Sequence, residues 1–235
     1  GTEAGLRVVL ATGVTIQGLK MVNFPVDGII LQSGASGALI GGNRQTGEGN
    51  VIGHCTVGIA ISGNGTTDNV IAGNVIGLDA DGQTPLPNAQ SGIVIKGGAA
   101  ANQVGGTLEG YGNVVGGNDG EGIVIRNNGS DDTIIQGNLI GVDVTGSESR
   151  PNKSSGVAVQ LGATGTQIGG ATPGARNVIS GNGRWGLHIN GTGTDETVVQ
   201  GNYVGTDLSG VCALPNGTGI RIGSGSRETR VGGDE

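Results

Sequence analysis

Short runs of Val, Ile and Leu recur along the whole chain, and each run is bounded by Gly, Asn, Asp or Ser. None of the runs keeps the i, i+3, i+4 spacing of an amphipathic helix, so the pattern predicts an almost purely β structure. One run reads Asn-Val-Ile-Gly or a close variant. Short and long steps alternate between its copies, which begin at Asn50, Asn74, Asn113, Asn138, Asn177 and Asn202.

Two further runs keep register with the first, and one short step plus one long step gives a full period of about 64 residues. A Gly-Ile-Val-Ile type begins at Gly28, Gly58, Gly92, Gly122, Gly156, Gly186 and Gly219. A third passes through Ile71, Val104, Ile135, Ile168, Val199 and Val231. Three short strands per turn, repeated at a fixed period, predict an all-β parallel β-helix of seven to eight coils. We expect one domain over residues 1–235, with irregular opening coils at 1–49 and two-coil repeats at 50–112, 113–176 and 177–235, the last incomplete.

Alternation within the runs predicts which side chains face the interior. The second aliphatic position of the Asn-Val-Ile-Gly run is uniformly aliphatic and therefore inward, and Thr133, Thr166, Thr197 and Thr229 fall in another inward column. The outward column of the Gly-Ile-Val-Ile run contains Ile30, Ala60, Val94, Val124, Ala158, His188 and Arg221. The repeated Asn at the strand corner is expected to form a stack of hydrogen-bonded amides rather than a row of ligands.

Composition narrows the function classes. Glycine accounts for 53 of 235 residues and aromatic residues for only 2%, so a large core of bulky side chains is not expected. The net charge of −7 and the few basic residues argue against nucleic-acid binding. The chain has no apolar stretch of about 18 residues, which argues against membrane insertion. Cys55 and Cys212 fall five coils apart, too far for a disulfide, and should be unpaired.

The run NVIGLDADGQTPLPNAQSGIVI at residues 74–95, its two later copies and the segment GARNVISGNG resemble known repeats. They are similar to right-handed parallel β-helix repeats of bacterial secreted and cell-surface proteins in the pectate-lyase-like superfamily. The resemblance covers about residues 15–233 and implies a right-handed coil and an extracellular or cell-surface location. Because the chain ends in mid-period, we expect it to be part of a larger polypeptide.

The resemblance to that superfamily implies that a polysaccharide site would lie on an outward strand face. Lys96 and Arg126 are adjacent in one outward column, where they could share an anionic group. Trp185, His188 and Arg221 fall on neighbouring coils with Arg184 beside them, which combines an aromatic ring, a titratable group and positive charge. The catalytic candidates are therefore His188, Arg221, Lys96 and Arg126, and the ligand-binding candidates are Trp185, Arg184, His188 and Arg221. The alternative is that these are scattered surface residues.

Repeated aspartates are candidates for calcium, the one cofactor that the sequence suggests. Asp79, Asp143 and Asp207 open equivalent Asp-x-x-Gly turns, and Asp81 adds a second acid to the first turn. Hard cations prefer such oxygen ligands. The competing interpretation, which we favour, is that each aspartate is the first residue of a β-turn closed by glycine.

Two functions from different classes remain open. The first is a rigid, non-catalytic extracellular module that serves as a stalk or binding surface, adhesin-like or polysaccharide-binding, and its support is the near-identical repetition along the chain. The second is a fragment of a carbohydrate-active enzyme, a lyase or epimerase acting on an acidic glycan. Only the region from Trp185 to Arg221 breaks the repeat symmetry in the way that an active site would.

Overall fold

Each turn of the chain contributes one short strand to each of three parallel sheets. The computed structural model describes residues 3–233 and is an all-β parallel β-helix of about seven turns. Its helical content in this range is limited to two 3-10 turns, Arg44–Thr46 and Pro173–Ala175. The predicted fold class is confirmed.

The three recurring runs form one sheet each, and successive coils are neighbours in every sheet. Sheet 1 is built from the Gly-Ile-Val-Ile runs: β1 (Leu6–Val9), β4 (Ile29–Gln32), β7 (Ile59–Ser62), β10 (Ile93–Lys96), β13 (Ile123–Arg126), β16 (Val157–Gln160), β19 (Trp185–Asn190) and β22 (Thr218–Gly223). Sheet 2 contains β2 (Thr15–Ile16), β5 (Leu39–Gly41), β8 (Val70–Ala72), β11 (Gln103–Gly105), β14 (Ile134–Gln136), β17 (Gln167–Gly169), β20 (Val198–Gln200) and β23 (Arg230–Val231). Sheet 3 contains the Asn-Val-Ile-Gly runs: β3 (Lys20–Val22), β6 (Val51–Gly53), β9 (Val75–Ile76), β12 (Val114–Val115), β15 (Leu139–Ile140), β18 (Val178–Ile179) and β21 (Tyr203–Val204).

The core is a column of aliphatic side chains along the axis. Strands pair without slippage, so Ile93 lies directly beside Ile123, which in turn lies beside Val157. All three are fully buried and belong to one continuous cluster contributed by all three sheets. Burial of such a side chain contributes about 1.5–3 kcal/mol. Many small aliphatics in register therefore replace the large aromatic residues that this chain lacks.

Stacked asparagines stabilise the corner between sheets 2 and 3, as predicted. The Nδ2 of Asn50 donates to the Oδ1 of Asn74 at 2.9 Å, and the same bond continues down the stack to Asn202. A second ladder, which the sequence analysis missed, lies at the corner between sheets 3 and 1. It consists of Asn88, Asn118, Asn152, Asn182 and Asn216. These amides satisfy backbone donors and acceptors that have no strand partner at a corner.

The long connections from sheet 3 to sheet 1 begin as hairpins that fold over the outer face of sheet 3. Each hairpin is closed by one antiparallel bridge, for example between Leu78 and Pro85. Leu78 packs with Val75 and Val114, which point away from the core but are at most 4% exposed. These two residues occupy the outward position of the Asn-Val-Ile-Gly run, and the hairpins bury part of that column in a small outer cluster.

The inward threonines supply a test of the core. Thr133, Thr166 and Thr197 are fully buried, and their hydroxyl groups have no hydrogen-bond partner. A buried polar group without a partner costs free energy, so Thr166→Val is expected to raise the free energy of unfolding by about 1 kcal/mol. Urea unfolding measures it.

Thr194 is the matched control for that substitution. It is equally buried, but its hydroxyl accepts from the backbone N–H of Gly162 at 3.0 Å and donates to the carbonyl oxygen of Asn190 at 3.1 Å. Thr194→Val should therefore lower the stability. If both valine variants lose stability alike, the hydroxyl of Thr166 does have a partner.

Two smaller predictions concern cysteines and membranes. Cys55 is buried and Cys212 is exposed, and both are free thiols, as their separation along the stack predicted. In residues 3–233, no helix has the length and apolar character needed to cross a membrane.

Candidate functional site

The predicted cluster lies on the two longest strands of sheet 1. Strands β19 and β22 each contain six residues, whereas the other six strands of this sheet contain four. The extension of β19 includes Trp185, and Arg184 directly precedes it. His188 occupies the outward position that Ala158 holds one coil earlier, and its register partner on β22 is Arg221. The regular stacking of coils thus places all four predicted residues on one face.

Their side chains are in direct contact around the indole ring of Trp185. The centroids of this ring and the imidazole of His188 are 4.0 Å apart, with the planes inclined by 35°. The guanidinium carbon of Arg184 lies 3.7 Å from the indole centroid, and that of Arg221 lies 4.9 Å from it. Both distances are in the range of cation–π interactions. The structure therefore brings together all four predicted ligand-binding residues.

The surroundings of His188 favour the neutral form of its imidazole. The residue is 9% exposed and its Nε2 atom has no hydrogen-bond partner. Burial lowers the pKa of His188 from its ordinary value, and the positive charges of Arg221 and Arg184 lower it further, against a smaller opposing effect of Glu121. A neutral imidazole can accept a proton, which is the chemical requirement for a general base.

Positive charge at the cluster is not neutralised by a neighbouring acid. Among residues 3–233, no carboxylate lies within ion-pair distance of Arg184 or Arg221. The nearby Glu121 instead accepts hydrogen bonds from the hydroxyls of Ser91 and Ser154 at 3.2 and 3.3 Å. The two guanidinium groups can therefore bind an anion from solution.

Lys96 and Arg126 lie on the same face but apart from the cluster. They are register partners on β10 and β13, as predicted, and within residues 3–233 neither has a carboxylate at ion-pair distance. The coil of Arg126 is two coils from that of His188 and the coil of Lys96 is three, or about 10 and 14 Å along the axis. They cannot touch the same small group as His188, but they could bind another part of a long ligand.

An apolar stripe runs beside these charges along sheet 1. Its members point outward and are 1–6% exposed: Ile30, Ala60, Val94, Val124 and Ala158. His188 and Arg221 continue the same column, so the stripe leads directly into the cluster. The face thus combines an apolar strip with positive charge at one side and at one end.

The carboxylates of the candidate calcium turns accept hydrogen bonds from their own turns. Asp81 accepts from the backbone N–H groups of Gln83 and Thr84, at 2.8 and 2.9 Å. The hydrogen bond from Lys20 and, after it, one from the backbone N–H of Ala80 hold the pKa of Asp79 below the ordinary value, and the backbone bonds lower the pKa of Asp81.

The later turns follow the same pattern. Asp143 accepts from Ser147 N–H, and Asp207 accepts from the Ser209 hydroxyl and from two backbone N–H groups, which also lower the pKa of Asp207. In the described part of the chain, no three His, Cys, Asp or Glu side chains come together at one point. The geometry fits the turn interpretation, and calcium binding stays a prediction.

Besides the Trp185 cluster, the structure has a pocket over sheet 3 that sequence reasoning did not find. It has a volume of about 520 Å³ and its lining includes Arg44, Arg176, Leu139, Val144 and Leu208. The available signal was the alternation of loops, because long hairpins and shorter loops from sheet 2 to sheet 3 occur on opposite coils. That spacing indicates two rows of loops with a gap between them.

No protein-family model matches this chain, and no curated protein matches it either. Among solved structures, it is similar to the periplasmic alginate epimerase AlgG, with a TM-score of 0.70 and 18% sequence identity. The match covers 97% of this chain and 47% of the epimerase chain, so this chain spans about half the length of the structures that it matches. Two substituted forms of the epimerase give TM-scores of 0.68 and 0.69. The likeness shows the fold alone, a right-handed parallel β-helix.

Proposed function

We propose that this chain acts on a polysaccharide that carries carboxylates, and that it does so at the Trp185 cluster as part of a lyase or epimerase. The observation that carries the proposal is a neutral, unpartnered imidazole, that of His188, beside two guanidinium groups without carboxylate partners. The fold that the chain shares with an alginate epimerase supports the same substrate class.

The chemistry follows from these groups. Nε2 of His188 takes the proton from the sugar carbon next to the carboxylate, and the electron pair that remains spreads into the carboxylate. Arg221 and Arg184 neutralise the charge that develops there. In an epimerase the pair then takes a proton from a water molecule on the opposite face, which inverts the carbon, and His188 releases its proton to solvent. In a lyase the pair forms a C=C bond and expels the glycosidic oxygen from the neighbouring carbon, and that oxygen takes the proton from His188 and leaves an unsaturated chain end.

Lys96 and Arg126 would bind other carboxylates of the same polymer. They lie about 10–14 Å from the coil of His188, so a chain laid along the axis of the β-helix would reach both places. In this arrangement they hold the substrate and do not touch the reacting carbon. Such an enzyme would work outside the cytoplasm, in the periplasm or at the cell surface, and within a larger polypeptide.

A specific observation also favours the non-catalytic alternative. The imidazole of His188 is covered on one side by the indole of Trp185, and a sugar would reach Nε2 only after that ring moved. If the ring does not move, the basic side chains on this face would bind an acidic polymer without changing it. These side chains are those of Arg184, Arg221, Lys96 and Arg126. The chain would then be a rigid extracellular binding module.

Activity on pectate, alginate and glycosaminoglycans separates the two functions. Absorbance of the unsaturated product reports cleavage, and NMR of the sugar protons reports epimerisation. We expect His188→Ala and Arg221→Ala to lower the rate by roughly 100-fold or more. Since protonation removes the base and the pKa of His188 is lowered, the rate should fall only at pH values below those at which an ordinary histidine is protonated.

Arg230→Ala is the matched control, because Arg230 is an exposed arginine on β23 in sheet 2. It should leave the rate unchanged. Full activity in the His188 variant would contradict the role of the base. Binding of these polymers without any turnover would favour the non-catalytic module.

A further inference from the structure

The pocket over sheet 3 lies on a different face of the β-helix from the Trp185 cluster. Its volume of about 520 Å³ is in the range of sites that bind small molecules. Leu139 of β15 lies at its base. On one side are the hairpins that carry Val144 and Leu208, and on the other side are the loops that carry Arg44 and Arg176. We call it the sheet 3 pocket.

Backbone contacts join the neighbouring elements on both sides of the sheet 3 pocket. The hairpins lie on alternate coils, about 10 Å apart, and they contact one another across the intervening coil, which has no hairpin. Val144 N–H donates to the carbonyl oxygen of Gly82 at 3.1 Å, and Leu208 N–H donates to that of Gly146 at 2.9 Å. On the opposite side, Arg44 N–H donates to the carbonyl oxygen of Gly110 at 3.0 Å. The pocket is therefore an elongated, preformed groove along the axis.

Two arginines give the sheet 3 pocket positive charge that no acid neutralises. Arg44 Nη1 donates to the carbonyl oxygen of Gly112 at 2.6 Å, and Arg176 Nε donates to that of Gly201 at 3.0 Å. In the described residues, neither arginine has a carboxylate within ion-pair distance. A guanidinium has five N–H donors, so most of them remain for a ligand.

Two further observations bear on this charge. Arg44 is half-buried, and burial lowers the pKa of its guanidinium, although the group stays charged. One carboxylate also lines the pocket, that of Glu109, but this side chain is exposed and its Oε1 accepts from Nε2 of Gln45 at 2.9 Å. The positive charge therefore exceeds the negative charge, and a partly desolvated guanidinium that has no carboxylate partner favours an anionic ligand.

Apart from Gln45 and Thr107, the other side chains that line the pocket are apolar. Leu108 and Leu208 are 67% and 52% exposed, and Leu139 and Val144 are half-buried. A ligand that fits this pocket therefore combines anionic groups with apolar C–H surface. The sugar units of an acidic polysaccharide have both, since each carries a carboxylate on a ring whose C–H groups form an apolar face.

We propose that the sheet 3 pocket binds a linear oligosaccharide that carries carboxylates, with one carboxylate at Arg44 and another at Arg176. The guanidinium groups of the two arginines contact Gly112 and Gly201, which lie three coils apart. That separation is about 14 Å along the axis, which suits an extended polymer better than a single small anion. The ligand class is that of the proposed function, but the residues are different. The inference concerns binding alone, so it is tested separately from catalysis.

Isothermal titration with tetragalacturonate tests this proposal on the intact chain. We expect Arg44→Gln with Arg176→Gln to abolish one binding step or weaken it by roughly tenfold or more, because charge-assisted hydrogen bonds are lost. Arg221→Gln should leave this step unchanged and alter only binding at the Trp185 cluster. Leu208→Asp is a second variant, since it adds negative charge at an exposed hairpin position without removing a backbone contact.

Three results would overturn the proposal. The first is unchanged affinity in both the double arginine variant and Leu208→Asp. The second is equal binding of neutral maltotetraose, which would show that the arginines do not select the ligand. The third is equal binding of monomeric galacturonate, which would show a site for a single carboxylate. Arg230→Gln is the matched control for the removal of a positive charge elsewhere.

Discussion

Gly105→Ala should lower the free energy of unfolding by more than about 4 kcal/mol, so that the variant fails to form a cooperative fold. Gly105 has a φ of +87°, and an added Cβ would overlap the carbonyl oxygen of Gln136 and the side-chain amide of Asn138 on the next coil. The left-handed backbone alone costs a residue with a Cβ about 1–2 kcal/mol. The overlap adds to this cost because a backbone carbonyl cannot rotate away. Thermal and urea unfolding followed by circular dichroism measure the loss.

Gly13→Ala separates the two contributions. Gly13 has a φ of +66°, but an added Cβ would have no atom within 4 Å. This variant should therefore lose only about 1–2 kcal/mol, the cost of the backbone conformation. Equal losses of unfolding free energy at both positions would show that overlap with the next coil does not explain the need for glycine at position 105.

The same relation explains much of the glycine content of the chain. Five glycines with positive φ lie directly against an asparagine of the next coil, in the pairs Gly41–Asn74, Gly77–Asn118, Gly105–Asn138, Gly141–Asn182 and Gly169–Asn202. In each of these five pairs an added Cβ would overlap the asparagine amide, so the residue beside the asparagine must lack a side chain there. Glycine and asparagine are thus two parts of one structural requirement.

The sequence was sufficient to predict the coil because its information is periodic. The two-coil repeat sets which strands are neighbours, and alternation within each strand sets the facing of its side chains. These two rules placed His188 beside Arg221 and Lys96 beside Arg126, and the register of sheet 1 has both pairs. Any feature that depends only on strand order and alternation could be found in this way.

Features made by loops and rotamers could not be found in this way. The sheet 3 pocket exists because hairpins fold back over a sheet, and a loop length alone does not give that direction. Likewise, the columns brought Trp185 near His188, but the stacking of the indole on the imidazole depends on side-chain torsion angles. The second asparagine ladder could have been predicted from the sequence, since Asn88, Asn118 and Asn152 recur at the same intervals as the strands of sheet 1 that follow them.

Asn138→Ala is expected to lower the free energy of unfolding by about 3–5 kcal/mol. Asn138 is fully buried, and its Oδ1 accepts from both the backbone N–H and the Nδ2 of Asn113, at 3.0 and 2.9 Å. The substitution leaves these two donors without an acceptor, and each unsatisfied buried group costs about 1–3 kcal/mol. It also removes the donor to Val104 and Asn177. Asn128→Ala makes the same chemical change at an exposed position, and its effect should stay within about 0.5 kcal/mol.

Asn138→Asp tests whether hydrogen bonding or shape causes this loss. Aspartate has nearly the same shape and keeps the acceptor toward Asn113, but it places a charged oxygen against the carbonyl of Val104 and the Oδ1 of Asn177. Burial, together with the lack of a donor to the second oxygen, should raise the pKa of the new carboxyl, so the folded state would bind a proton more readily than the unfolded state. The deficit of this variant relative to the unsubstituted chain should then shrink as the pH falls, because the protonated carboxyl regains a donor. A deficit that stays constant with pH would mean that the ladder contributes packing rather than hydrogen bonds.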